Sequence, residues 1–517
     1  MYGGFLYGDT QFSDRDVDEN VTTILAAGQE TSAVIMDSTT SALLDGFVIT
    51  GGNAAEGGGV HILSADDTNT IQNCIITGNT STSGGGGLYM KDSDTAIVDC
   101  VILGNVTAYG GGLQLYQSGP MITDCIFSGN TASVYGGATY IQFGASDPVF
   151  TDCTFSGNTA SNNGGAHYWS NGAFVEMINC IVSGNSTISR GGGFYINGAN
   201  PVMTNCTIAG NTSGGDGGGM YLFYLGTPDM TNCIFYNNGN HAIYESGADT
   251  DVDLTNCLFY NNADGDYYDF DTTTSLTTAG EIDTLAEASS TTDGDPSFTP
   301  GANGNWNLLP SYDSAANTTT LTDTTGTFAE DELVNLLINV DTEQSFEAII
   351  VSNTDSSITV VGDVTDIAKE GDESFSIQEY HITYQSDAID KGTDINAPDT
   401  DIDGETRPYN IDDIGVDEWG YGDTDGDGIE DGVETNTYNS NPTRYEVWLD
   451  FGWTGSESGS PTEPYNTLEE ALLAVPLSGG IRINGASSEV ATPWSASFES
   501  SLHIDADGGA VEIGATP

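Results

Sequence analysis

Three groups of residues in this chain have the types and spacing to do chemistry. The first is DTDGDGIEDGVE, residues 423 to 434. Asp423, Asp425 and Asp427 alternate, Gly428 allows a turn, and Asp431 and Glu434 close the set. A hard cation needs several convergent oxygens on one short loop, so the spacing predicts a calcium site built from Asp423, Asp425, Asp427, Ile429, Asp431 and Glu434. Asp399, Asp401 and Asp403 imitate the alternation but lack the closing carboxylate. The second group is Asp99, Asp124 and Asp152, each directly before a cysteine. The third is a set of tyrosines, Tyr89, Tyr140, Tyr168, Tyr195 and Tyr221, each following a glycine run. Exposed in a line, such rings stack on sugar faces.

What positions the last two groups is a period. The eight cysteines, Cys74, Cys100, Cys125, Cys153, Cys180, Cys206, Cys233 and Cys257, lie 24 to 28 residues apart. Around each the same grammar recurs. Asn or Asp precedes the cysteine, an apolar residue follows two places later, Gly or Asn stands four places later, and Asn always stands five places later. Gly and Asn tolerate a left-handed backbone, so a short strand should end there in a tight turn. A polar loop, a glycine run such as GGGGL, and a second strand such as LYM or FYI come next. A third apolar stretch leads back to the next cysteine. Three short strands per repeat without helical periodicity predict one turn of an all-β, parallel β-helix, with Val48 in the cysteine position of an earlier coil.

Stacked coils turn equivalent residues into columns. In-register cysteines have parallel Cβ vectors, which suit a disulfide poorly, so the sequence predicts a ladder of buried thiols. The Asn column should cap backbone groups. In the Asp column, neighbours would lie about 5 Å apart and the outer pair about 10 Å, near the separations that glycoside hydrolysis uses. The competing reading is that this corner accepts Asn or Asp indifferently, as the other five coils do. In the strand after the glycines the flanking residues are apolar, so the middle ones should point outward: His61, Tyr89, Gln114, Tyr140, Tyr168, Tyr195 and Tyr221. Structural stacking and glycan binding compete for that column, and stacking ranks first. No two of the five histidines share ligand spacing, and His167, beside Tyr168 and Trp169, reads as packed.

The repeat NCxIxGNTAxxxGGG, with YGGF at residues 2 to 5 and LDGFVITGGNA at 44 to 54, resembles the right-handed parallel β-helix surface proteins of bacteria. It is also similar to the FxxN and GGA repeats of polymorphic outer membrane proteins. The resemblance implies surface display and adhesion rather than one reaction. Residues 386 to 420, with AID and DIGVDE, resemble the closing segment of choice-of-anchor surface proteins, and should cover the open end of the rod. The acidic loop resembles thrombospondin type 3 repeats, which implies a calcium-stiffened linker. Parallel β-helices also host pectate lyases, but the solenoid carries only Arg15, Lys91 and Arg190 as cations, on distant coils.

Five segments follow. Residues 1 to 311 form the right-handed parallel β-helix, 312 to 380 a small β-rich insertion with one helical turn set, and 381 to 420 the closing segment. Residues 421 to 444 form the acidic calcium linker, and 445 to 517 the cap and first coil of a second β-helix, where PYNTLEEALLAV reads as an amphipathic helix. Both ends resemble half-joints. A fragment of a longer protein is one reading; head-to-tail joining of copies of the chain into a filament is the other.

The charge of -68, from 76 acidic against 8 basic residues, repels nucleic acid and anionic lipid and attracts cations. No apolar run is long enough to insert into a membrane. The composition fits an extracellular or cell-surface protein, although MYGGFLYGDTQF has no signal-peptide pattern. Surface glycans and copies of itself are the expected partners.

Overall fold

The computed structural model describes residues 1–2, 22–26, 30–142, 147–285 and 288–313, shorter stretches between 318 and 415, and three strands beyond 445. Two compact units result: residues 1–404 with 409–417, and residues 405–408 with 418–517. In the second unit, Glu446–Leu449, Gly480–Asn484 and His503–Asp507 form a parallel three-stranded sheet. The predicted cap helix lies outside the described residues.

The first unit is dominated by a parallel β-solenoid of stacked coils. Seven successive coils, however, carry four strands rather than the three expected. In the Cys125 coil they are Met121–Thr123, Ile126–Ser128, Thr131–Tyr135 and Thr139–Gln142. Their equivalents stack into a pre-cysteine sheet of 10 strands, a post-cysteine sheet of 11, a short sheet of 7 and a post-glycine sheet of 11. The short sheet occupies what reads in sequence as a polar loop. Its residues carry no alternating apolar pattern, because the face it buries is made of small or polar residues, Ser81, Thr107, Ala132, Ala160 and Thr187.

Pairing in the post-glycine sheet is in register, with Leu88, Tyr89 and Met90 beside Leu113, Gln114 and Leu115, which lie beside Thr139, Tyr140 and Ile141, whereas the short sheet shifts register at Thr107/Tyr109 and Ala54/Glu56. Flanking residues such as Leu88, Met90, Phe194, Ile196, Met220 and Leu222 are fully buried in the lumen. Inside, identical residues stack, as do Phe127 on Phe155 at 4.9 Å and Phe235 on Phe259 at 5.0 Å. The glycine run is explained by the same contact. A Cβ on Gly137 would sit 2.2 Å from the Gly165 carbonyl of the next coil, and Gly136 has φ +66°, so neither position admits a side chain.

The cysteine column is a ladder of buried free thiols. Each precedes its strand rather than lying within it, and donates to the carbonyl two residues back, from 3.1 Å at Cys74 to 3.5 Å at Cys257. In the earlier coil Val48 pairs with Ile75, so Phe47, not Val48, occupies the cysteine position. Gly51 and Gly52 then stand four and five places later, matching the Gly-Asn turn of the other coils.

Two features of the C-terminal end differ from expectation. The terminal coil is closed by a hairpin, Tyr267–Asp269 against Thr274–Leu276, and by the helical turn Ala279–Ile282, whose Ile282 is fully buried in the solenoid core. Of the 381 to 420 segment, buried Ala388 and Ile414 pair with each other, and the Gly415 N–H donates to Asn232 O at 2.9 Å. That contact lies on the flank of the rod, one coil short of its last cysteine. Strands from Phe298–Asn305 to Ser374–Ile382 build a separate seven-stranded sheet around Trp306, stacked on Phe375 at 4.0 Å. It starts before residue 312, and Leu337–Asn339, read from sequence as the end of a helical turn, is one of its strands.

Candidate functional site

Two columns of asparagine run along the solenoid six residues apart, and they differ in kind. The inner one, Asn79, Asn105, Asn130, Asn158, Asn185, Asn211 and Asn238, is buried. Asn158 shows the pattern. Its Nδ2 donates to Phe127 O at 2.8 Å and to Asn185 Oδ1 at 3.0 Å, while its Oδ1 accepts the Asn130 backbone N–H and Nδ2, both at 3.0 Å. Every donor and acceptor of the amide is spent on the neighbouring coils.

The outer column contains the candidate carboxylates. Asn73, Asp99, Asp124, Asp152, Asn179, Asn205, Asn232 and Asn256 all have φ between 48° and 53°. This left-handed corner selects Asn or Asp for backbone reasons, since their short polar side chains tolerate it best after glycine. Asp99 and Asp124 are exposed neighbours. Partial burial, and then the Asp99 charge, raise the Asp124 carboxyl above its ordinary value. Asp152 accepts from Asn179 Nδ2 at 3.0 Å. Geometry therefore brings the three to consecutive corners, with the backbone sufficient to explain their identity.

The tyrosine column points away from the lumen, as expected, but it is not exposed. Tyr89, Tyr140, Tyr168, Tyr195 and Tyr221 retain only 4–8% of their accessible surface. Two causes act together. Ring stacks on ring, Tyr168 on Tyr195 at 5.0 Å and 7°, and Tyr195 on Tyr221 at 5.3 Å and 13°. The short sheet also brings Tyr109 and Tyr135 over them, with Tyr135 4.4 Å from Tyr168. Burial raises the Tyr89 hydroxyl to about 12 and lifts those of Tyr140, Tyr168 and Tyr195. Sugar stacking needs a free ring face, and these faces are covered.

The column emerges at its C-terminal end. The last strand of the short sheet is Thr212–Ser213, and beyond it Tyr244 and Tyr268 are half-exposed, stacked at 4.4 Å and 5°. Against their edges lies His241, 5.7 Å from Tyr244 and 5.6 Å from Tyr268, with its Nε2 2.8 Å from Ser275 Oγ. Asp216 and Asp264 are the nearby charges on this imidazole, and burial nonetheless draws its pKa below the ordinary value. Sequence reasoning missed this group, because His241 and Ser275 are 34 residues apart and Ser275 lies outside the repeat. The other buried histidine, His167, is packed as expected. Trp169 Nε1 donates to Thr139 Oγ1 at 3.0 Å, and the same hydroxyl shares a hydrogen bond of 2.8 Å with His167 Nδ1. Burial holds that ring well below its ordinary pKa.

Residues Asp423, Asp425, Asp427, Ile429, Asp431 and Glu434 lie outside the described residues, as do Asp399 and Asp403; Asp401 is buried. Among the described residues no helix is long and apolar enough to cross a membrane.

No curated protein matches this chain. Among solved structures, the tailspike protein gp49 from Pseudomonas phage LKA1 is similar at 11% identity and a TM-score of 0.23, over 69% of this chain and 66% of that chain. The chain thus spans just under two thirds of that protein's length. The family described as the right handed beta helix region matches residues 6–182 and 161–278. Together with the stacked parallel sheets, a match over more than half of the 517 residues means that the chain belongs to the right-handed β-helix family.

Proposed function

We propose that this chain is a structural or adhesive rod of an extracellular or cell-surface assembly, and that its repeats perform no reaction. One observation carries the reading: the ladder from Asn79 to Asn262 spends its amides on inter-coil hydrogen bonds, so the repeat is fully accounted for by stiffness. Seven such intervals span roughly 34 Å of rod. In this reading Asp423, Asp425, Asp427, Ile429, Asp431 and Glu434 hold calcium and stiffen the linker, and copies of the chain join head to tail or the chain forms one segment of a longer surface protein.

Electron microscopy of the purified chain at micromolar to millimolar calcium, with a chelator control, tests this. Rods whose bending or end-to-end joining responds to calcium support it. Particles that are not elongated contradict the rod, and rods indifferent to calcium remove the calcium role.

A second reading, glycan binding, is favoured by the half-exposed Tyr268 rather than by the five covered rings or by Tyr244, which is stacked between Tyr221 and Tyr268. Loss of oligosaccharide binding on Tyr268→Ala, with Tyr195→Ala neutral, is its expected signature. Glycoside hydrolysis by Asp99, Asp124 and Asp152 is the third, and neutral polysaccharides left intact by the chain end it.

A further inference from the structure

The group at the end of the tyrosine column has a nucleophile and a base in contact. We propose that Ser275 is a nucleophilic serine activated by His241, and that the pair cleaves small neutral carboxylic esters presented along Tyr244 and Tyr268. This goes beyond the rod reading and stands or falls separately from it.

The argument begins with geometry. An Nε2 to Oγ distance of 2.8 Å is the contact a general base needs to take a serine proton. Ser275 lies exposed on Thr274–Leu276, the last strand of the post-glycine sheet, so its free side is open to a ligand. His241 is half-buried and its ring is fixed. Tyr244 meets it at 65° and Tyr268 at 69°, both through an edge contact. Gly265, at φ +128°, runs beside the ring, close enough that a Cβ there would lie 3.5 Å from His241 Cδ2. The base is thus held on three sides and directed at one hydroxyl.

Electrostatics then favour the reaction direction. Partial burial keeps the imidazole neutral and able to accept a proton at neutral pH. The Asp216 and Asp264 carboxylates stabilise the imidazolium once it forms. Of these, Asp216 also contacts Arg190, at 3.7 Å. The strongly acidic chain disfavours an anionic ester, and the paired rings offer an apolar platform for a neutral one.

The step balances as follows. Ser275 Oγ bonds to the acyl carbon while its proton passes to His241 Nε2. The ester C–O bond breaks, and the leaving alcohol takes that proton. Water, deprotonated by the same Nε2, then attacks the acyl-serine, releasing the carboxylic acid and restoring the hydroxyl.

The test uses the full chain with a fluorophosphonate probe and with p-nitrophenyl acetate. Expected is phosphonylation mapped by mass spectrometry to Ser275, lost in Ser275→Ala and slowed about 100-fold in His241→Gln. The rate should fall in acid with a midpoint below 6.5, the ordinary value for histidine. Both variants lie outside the lumen, and an unchanged melting temperature shows that they fold. Absence of labelling, labelling spread over other serines, or an unchanged rate in His241→Gln overturns the proposal. Acetate ester hydrolysis that survives in Ser275→Ala overturns it as well, since the imidazole alone would then be the nucleophile.

Discussion

The inner and outer asparagine columns look alike in sequence, recur with the same period and lie six residues apart, yet only the outer one admits aspartate. Inner Asn158 needs both halves of its amide, since its Nδ2 faces two acceptors and its Oδ1 two donors. Outer Asp152 and its column mates share a φ near 50°, and the acceptor that Asp152 offers Asn179 Nδ2 is an oxygen that Asn and Asp both carry. A column fixed by side-chain hydrogen bonding is chemically closed. A column fixed by backbone conformation leaves its side chains free to vary, and so places carboxylates in a row without any demand for catalysis.

The largest expected effect comes from breaking the closed column. Asn158→Ala leaves the Phe127 carbonyl without the amide donor and two Asn130 N–H groups without their buried acceptor, although Asn185 Oδ1 keeps the backbone N–H of residue 158 at 2.8 Å, and should cost about 3–5 kcal/mol in denaturant unfolding. A second column fixed by side chains, the tyrosines, should be softer. Tyr168→Ala removes stacks to Tyr135, Tyr140 and Tyr195 while leaving the lumen intact, so about 2 kcal/mol is expected from thermal unfolding.

The lumen also contains a carboxyl that no ladder explains. Glu245 is buried, accepts from the Tyr267 hydroxyl and from the Phe270 N–H at 3.3 Å, and burial pushes its pKa up to about 8. The folded chain therefore keeps a proton that the unfolded chain loses. Its contribution is full below about pH 4.5 and declines as pH rises to about 8, by roughly 1 kcal/mol per unit. Unfolding measured from pH 5 to 8 should show a shallower decline in Glu245→Gln than in the parent chain. His167 has the opposite sign: its pKa is lowered, so its contribution is present above 6.5 and is lost as pH falls.

The smallest effect belongs to the open column. Asp124→Asn keeps the left-handed corner and removes repulsion from Asp99, so it should change stability by less than about 0.5 kcal/mol, in the stabilising direction. Asp124→Ala, which tolerates that corner less well, should cost about 1 kcal/mol.

The solenoid was legible in the sequence because each coil repeats the same constraint, and a period of cysteines, glycines and asparagines survives variation elsewhere. The Asn ladder and the thiol ladder follow from that period alone. Exposure of the tyrosines did not follow, because it depends on Thr131–Tyr135 and its equivalents, short strands with no apolar alternation of their own. Phe47 was misread by one residue because its coil has Gly52 where the others have asparagine. The closing turn around Ile282 is too short to leave a helical pattern, and the His241 to Ser275 contact joins the last coils to a hairpin outside the repeat.

The account rests on the claim that the inner column needs both halves of its amides for inter-coil bonding, whereas the outer column needs a left-handed corner and a side-chain oxygen that Asn and Asp both supply. The most direct measurement is the unfolding free energy of Asn158→Asp beside that of Asp152→Asn, exchanges within one coil. The account predicts a loss of about 4 kcal/mol or more for the first, which buries a carboxylate against acceptors, and a change under about 0.5 kcal/mol for the second. Similar values for the two would contradict it.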